Sequence, residues 1–176
     1  MIISGPSGAG KSSVSEALCE RYDRTVHIET DWFFDAIRMG RLNPMNPESG
    51  DQNRMITRAV ARAATAYAEA RYGVFIDGVI GPHLLPIYLD ELSPARVPIQ
   101  FVLLMPSVEK TLDRVAPRES TRQMQEPLHR ELHRQFADNG AFAGWALDNS
   151  AMTAQQTADA VMEACGRGDC LVWSPT

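Results

Sequence analysis

Gly5-Pro6-Ser7-Gly8-Ala9-Gly10-Lys11-Ser12 follows the short apolar run Met1-Ile2-Ile3 and opens a helical pattern. It fits G-x-x-x-x-G-K-[ST], the spacing of a phosphate-binding loop. Glycines let the backbone curl until successive N–H groups point into one concavity. The helix that follows adds the positive end of its dipole at the same place. Lys11 brings an ammonium to the outer phosphates, and the Ser12 hydroxyl suits Mg²⁺. A chance match in a chain of this length is on the order of a per cent or less. Strand, loop and helix in this order predict nucleotide binding over Gly5–Ser12, with Ser13 on the same first helical turn.

The chain's 176 residues are expected to form one domain, 1–176, large enough for a real core. Its 44% hydrophobic and 22% charged residues are ordinary for a globular protein. The net charge of −5 gives no electrostatic case for nucleic acid. Only Lys11 and Lys110 are lysines, and the other basic residues are arginines, which suit planar phosphate recognition but also follow from composition bias. Cys19, Cys165 and Cys170 lack a disulfide-framework spacing and fit a reduced, cytoplasmic chain. No apolar run approaches the roughly 20 residues of a membrane span. The N-terminus already reads as strand and loop, so no signal peptide is expected.

Lys11 to Tyr22 carries the helical stripe Val14, Ala17, Leu18 and Tyr22, and Thr25–Ile28 reads as a second strand. Trp32–Arg38 is expected to be a helix capped by Thr30 or Asp31. Arg41–Asp51 reads as loop, and Met55–Tyr72 as an Ala-rich helix stopped by Gly73. Buried-type strands follow at Val74–Gly78 and Pro98–Met105, with a short helix between them. Ser107 caps a helix striped by Val108, Leu112 and Val115, and Arg114–Arg122 reads as a basic loop. Pro127–Ala137 is a helix, Trp145–Leu147 a last strand, and Thr153-x-x-Gln156 a capping box for a helix to Cys165. The tail after Gly166 carries no signal. Strands alternating with helices predict an α/β architecture, a parallel sheet covered on both faces. Right-handed crossovers bring the phosphate loop and the strand ends to one edge.

Three further groups carry chemistry. Asp77, at the end of an apolar strand, is placed as a metal-side carboxylate, although such an Asp also caps turns. Glu29 and Asp31 follow the second strand and share a side if the chain stays extended. Phosphoryl transfer needs a carboxylate to orient an acceptor hydroxyl and take its proton, and Asp31 is the candidate, against a plain helix cap. Glu29 would support the metal or orient Asp31. Trp32, Phe33 and Phe34 cannot all be buried on one helical face, so at least one lines the cleft; Trp32 and Phe33 are the substrate-side candidates, with the polar Arg38, Arg41, Asn53 and Arg54 nearby. Arg114, Arg118 and Arg122 are candidates for a lid at about 115–126 that closes over the nucleotide, with Arg118 favoured as catalytic. His129 and His133 have a Zn-compatible i, i+4 spacing but no third ligand, and a helix surface is expected. His27 and His83 suggest nothing on their own.

The phosphate loop, His27-Ile28-Glu29-Thr30-Asp31, Gln52-Asn53-Arg54 and Val74-Phe75-Ile76-Asp77-Gly78-Val79-Ile80-Gly81-Pro82, in this order, resemble the chloramphenicol phosphotransferase-like group of small P-loop kinases. The chain is more distantly similar to shikimate and gluconate kinases and zeta toxins. The resemblance covers roughly residues 1–165. It implies a three-layer P-loop NTPase fold, with a five-stranded parallel sheet in the order 2-3-1-4-5, helices on both faces and a small lid. It implies that ATP with Mg²⁺ donates its γ-phosphate to a hydroxyl of a small molecule. It implies that Asp31 activates that hydroxyl, that Arg118 or Arg122 contacts ATP, and that Asp148-Asn149-Ser150 lies near the adenine. Gly78 falls in the segment that narrows the resemblance and joins the substrate-side set. The glycine triplet of shikimate kinases is replaced by Asp77-Gly78-Val79, which argues against shikimate.

The expected function is therefore small-molecule O-phosphotransfer to an antibiotic, nucleoside-like or sugar-like acceptor, with no nucleic-acid or membrane partner. The alternatives are an NTP-hydrolysing switch and a toxin-like kinase acting on a nucleotide sugar.

Overall fold

Strands β1 (Ile2–Ser4), β2 (Thr25–Glu29), β3 (Gly73–Gly78), β4 (Ile99–Leu104) and β5 (Ala146–Leu147) form a parallel sheet in the order β2-β3-β1-β4-β5. The computed structural model describes residues 1–116, 126–138 and 140–175. Among them the connecting helices are α1 (Lys11–Cys19), α2 (Thr30–Asp35), α3 (Gly50–Glu69), α4 (Leu85–Leu92), α5 (Val108–Val115), α6 (Glu126–Ala137) and α7 (Ala154–Arg167). The sheet is three-layered because its central strands are apolar on both faces. Ile2, Ile76, Phe101 and Leu103 pack against α3, α4 and α6 through Ile56, Val60, Tyr88, Leu132 and Phe136. Ile3, Phe75, Val102 and Leu104 face the other way, onto Val14 and Leu18 of α1 and Ala158 and Val161 of α7. Period-2 alternation thus feeds two cores from one strand.

A sixth strand, β6 (Leu171–Trp173), comes from the tail that carries no sequence signal. Gly168, at φ 88°, ends α7 and turns the chain back antiparallel to β4, pairing Ile99 with Trp173 and Gln100 with Leu171. The two-residue β5 pairs only with Leu103 and Leu104, so β6 covers the rest of that edge of β4. The five-strand expectation gains this strand, and the sheet is mixed.

Other boundaries move for local reasons. Helix α1 stops at Cys19, and Tyr22 lies beyond it, exposed, with its ring 6.0 Å from Phe75. Helix α3 ends at Glu69, Arg71 takes the left-handed φ of 64°, and Gly73 opens β3 instead of stopping the helix. Helix α2 spans only Thr30–Asp35; Glu29 is its N-cap residue with no side-chain cap bond, so neither Thr30 nor Asp31 caps it. The predicted caps at Ser107 and Thr153 both form, the latter as a full capping box. No helix among the described residues is long and apolar enough to cross a membrane.

Candidate active site

The phosphate loop joins β1 to α1 at the carboxyl edge of the sheet. Gly8 and Gly10 sit at φ 78° and 91°, which turns successive N–H groups inward. A side chain is excluded at Gly8 on a second ground, since a Cβ there would stand 2.4 Å from the carbonyl oxygen of Thr111 in α5. Lys11 Nζ donates to the Pro6 carbonyl at 3.0 Å across the loop. Ser12 and Ser13 sit in the first turn of α1, Ser13 exposed.

Arg114 and Asn149 brace this loop from behind. Arg114 Nη1 and Asn149 Nδ2 both donate to the carbonyl of Ala9, at 3.2 and 3.0 Å. Arg114 Nη2 also reaches the carbonyl of Asn149 at 3.2 Å. Arg114 is therefore no lid residue but part of the last turn of α5, its guanidinium tying α5 and the β5–α7 turn to the loop. Arg118 and Arg122, with most of the expected lid, lie outside the described residues.

Asp77, the carboxylate expected on the metal side, has a partner that the sequence does not announce. Glu29 and Asp77 are register partners on β2 and β3, and both point to the α1 side with His27 and Phe75. His27 Nε2 lies 2.8 Å from Asp77 Oδ2, with both side chains largely buried. Burial opposes charging of the imidazole, but the hydrogen bond and charge of Asp77, with Glu29 and Glu16, outweigh it and hold the His27 pKa above its ordinary value. Burial and the charge of Asp77 push Glu29 up as well, and His27 pulls against them. A raised folded-state pKa means that the pair's stabilisation is present in full below the unfolded imidazole pKa. It fades as pH rises through the folded value. In EDTA, an NMR titration of His27 should give a midpoint above 6.5, and Asp77→Asn should move it down. An unmoved midpoint would dissolve the pairing.

Asp31 parts company with Glu29. Because Thr30 already begins α2, the extended two-residue spacing breaks, and Asp31 is exposed on the wall of a cavity that Glu29 does not line. That cavity, of about 1060 Å³, is also lined by Ser7 of the phosphate loop. Gly78 secures the arrangement without lining the cavity: a Cβ on it would stand 2.2 Å from Thr30 Oγ1, so only glycine lets the start of α2 seat against the end of β3.

The other substrate-side candidates divide. Phe34 lines the cavity, whereas Phe33 packs against the core and Trp32 is 54% exposed, its ring 6.2 Å from that of His27. Asn53 lines the cavity, with its amide committed to the Pro44 carbonyl at 2.9 Å and to Ser49 Oγ at 3.1 Å, holding the 42–49 loop against α3. Arg41 lines the cavity; Arg38 is exposed away from it, and Arg54 turns to Asp51.

The expectation of a surface histidine pair fails on α6. His129 is 1% exposed and its Nε2 lies 2.9 Å from Thr111 Oγ1, whose hydroxyl donates to the Val108 carbonyl. His133 Nε2 meets the Pro106 carbonyl at 2.8 Å. Burial, with the charges of His133, Arg130 and Lys11, pushes the His129 pKa down. His129 anchors α6 to α5, the helix on which Gly8 rests, and His133 ties α6 to the loop that leads into α5. Among the described residues no three His, Cys, Asp or Glu side chains are arranged to hold a metal by themselves. Mg²⁺ does not need such a cage, because it keeps waters and uses one or two carboxylates with substrate phosphates. The Ser12 hydroxyl and Asp77 are a donor set of that kind.

The sequence profile of the AAA domain family matches residues 1–141. No curated protein sequence matches the chain. Solved structures share the fold. A tunicamycin resistance protein from Deinococcus radiodurans aligns at 20% identity and TM-score 0.69, over 99% of this chain and 98% of that one. A sugar kinase from Janibacter sp. HTCC2649 aligns at 18% identity and TM-score 0.70, over 94% and 92%. Shikimate kinase from Acinetobacter baumannii aligns at 19% identity and TM-score 0.65, over 95% and 92%.

Proposed function

The chain belongs to the AAA domain family, and from that premise we propose that it transfers the γ-phosphate of ATP, with Mg²⁺, to a hydroxyl of a small molecule. One observation carries the reading: Ser7 of the phosphate loop and Asp31 line the same cavity. A hydrolytic switch needs room only for water, whereas this cavity lies at the upper end of the size range of drug-sized ligand sites.

The main-chain N–H groups of Gly8–Ser12 and the Lys11 ammonium would hold the phosphates, and Ser12 with Asp77 would hold Mg²⁺. Bound there, ATP supplies the phosphoryl group and Mg²⁺ the charge neutralisation. His27 orients Asp77 through its 2.8 Å contact, and Glu29 adds carboxylate charge on the same side. Asp31 orients the acceptor hydroxyl and takes its proton as the oxygen attacks. Arg114 and Asn149 keep the loop in shape by holding the Ala9 carbonyl, so the N–H cradle costs no reorganisation.

The test is ADP formation from MgATP with and without added alcohols. The likeness to a tunicamycin resistance protein and a sugar kinase keeps antibiotic and sugar-like alcohols in the panel. ADP formation that rises with an acceptor, with a phosphorylated product in the mass spectrum, supports transfer. A steady rate indifferent to every alcohol would favour the switch.

A further inference from the structure

The charge and polarity of the cavity narrow the acceptor, given the phosphotransfer reading. Its body is apolar: Phe34, Met45, Ile56, Leu84, Leu132 and Phe136 face it. Among the described residues its cations are Arg41 and Arg134, and each already has carboxylate partners. Arg41 Nη1 is 2.8 Å from Asp35 Oδ1. Arg134 forks onto Glu131 with Nε and Nη2 at 3.0 and 2.8 Å, and places Nη1 2.8 Å from Asp138 Oδ2. A carboxylate or phosphate on a ligand is recognised by the bidentate fork of arginine, and on Arg134 that fork is taken. Pairs this exposed are individually weak, but they set the local field. Among the described residues that line the cavity, the two guanidiniums balance Asp31 and Asp138, so its formal charge is zero and no net positive field draws an anion in. An anionic acceptor would be desolvated against apolar walls beside Asp31, with both of these guanidiniums already engaged by carboxylates, which disfavours it relative to a neutral alcohol.

Volume points the same way. A small hydroxy acid would leave most of about 1060 Å³ filled with water against apolar walls. We propose that the acceptor is a drug-sized, amphipathic alcohol without carboxylate or phosphate, its apolar body on the Phe34–Phe136 walls and its reacting hydroxyl at Asp31. Nucleotide sugars and sugar acids are excluded as acceptors on the same ground.

Matched probes test this. Octyl β-D-glucoside and octyl β-D-glucuronide differ by one carboxylate on the same apolar body, phenyl β-D-glucoside and its glucuronide form a second pair, and gluconate lacks the apolar body. Binding is read by calorimetry with ATP absent, and turnover by ADP formation from MgATP. The neutral member of each pair should bind about tenfold or more tightly than its acid. Asp35→Asn, which leaves Arg41 without that partner, should narrow the gap. Equal binding, a preference for the acids, or turnover with gluconate alone overturns the inference while leaving phosphotransfer standing. ADP formation indifferent to all five probes, with none of them bound, overturns the phosphotransfer reading and the inference with it.

Discussion

Asp31→Asn is expected to leave ATP affinity within about twofold and to lower acceptor phosphorylation by about 10²–10⁴-fold, the range that general-base catalysis supplies. Asparagine matches aspartate in size and keeps an oxygen that can accept a hydrogen bond, but it cannot take the proton. The side chain is exposed on the cavity wall and caps nothing, so the change removes chemistry without removing structure. Calorimetry with ATP and product formation under saturating acceptor separate the two effects. Transfer that survives at the wild-type rate would remove Asp31 from the mechanism. Glu29 pairs in register with Asp77 and does not line the cavity, so it is not placed to stand in for the lost base.

Gly8→Ala is expected to abolish measurable ATP binding while the chain remains folded but less stable. Two costs combine. The φ of 78° costs an alanine about 1–2 kcal/mol. The added Cβ also meets the Thr111 carbonyl oxygen at 2.4 Å and Val115 Cγ1 at 3.0 Å, and the backbone oxygen cannot rotate away. Relief requires the loop to lift off α5, which disperses the N–H groups that face the phosphates. Gly40→Ala provides the control: φ is 75°, and nothing stands within 4 Å of its Cβ position. Urea unfolding should show Gly40→Ala losing only the conformational term, and Gly8→Ala losing more. Calorimetry should show ATP binding kept in the first and lost in the second. Equal destabilisation, with ATP binding kept in both, would mean that α5 does not brace the loop.

Much of the phosphate-loop half of the candidate site was legible because phosphate binding uses the backbone. Glycines at fixed offsets, a lysine and a serine are local requirements, and local requirements leave a linear trace. The cavity half of the candidate site was legible only in part. Asp31 could be located, but its separation from Glu29 depends on where α2 begins, and that is settled by Thr30 seating against Gly78 from another strand. His27 is one histidine among four until β2 lies beside β3 and brings it to Asp77. The i, i+4 spacing of His129 and His133 reads as helix surface because nothing in it reveals that α6 turns this face onto α5 and the Pro106 carbonyl before it.

The order of strands and helices, the nucleotide loop and its flanking carboxylates follow from the sequence by itself, since periodicity, turn residues and motif spacing act between near neighbours. Three things were decided only by the tertiary structure. Arg114 became a brace for the loop, because α5 carries it to the Ala9 carbonyl, 105 positions away. A tail without pattern became β6, because the short β5 leaves an edge of β4 to be covered. The cavity lined by Ser7 and Asp31 acquired its volume and its carboxylate-paired arginines from segments that meet only when the sheet, α3 and α6 are packed. Each is a pairing across long sequence separation, and the free energy of such pairings resides in burial and complementary contact rather than in the residues taken singly.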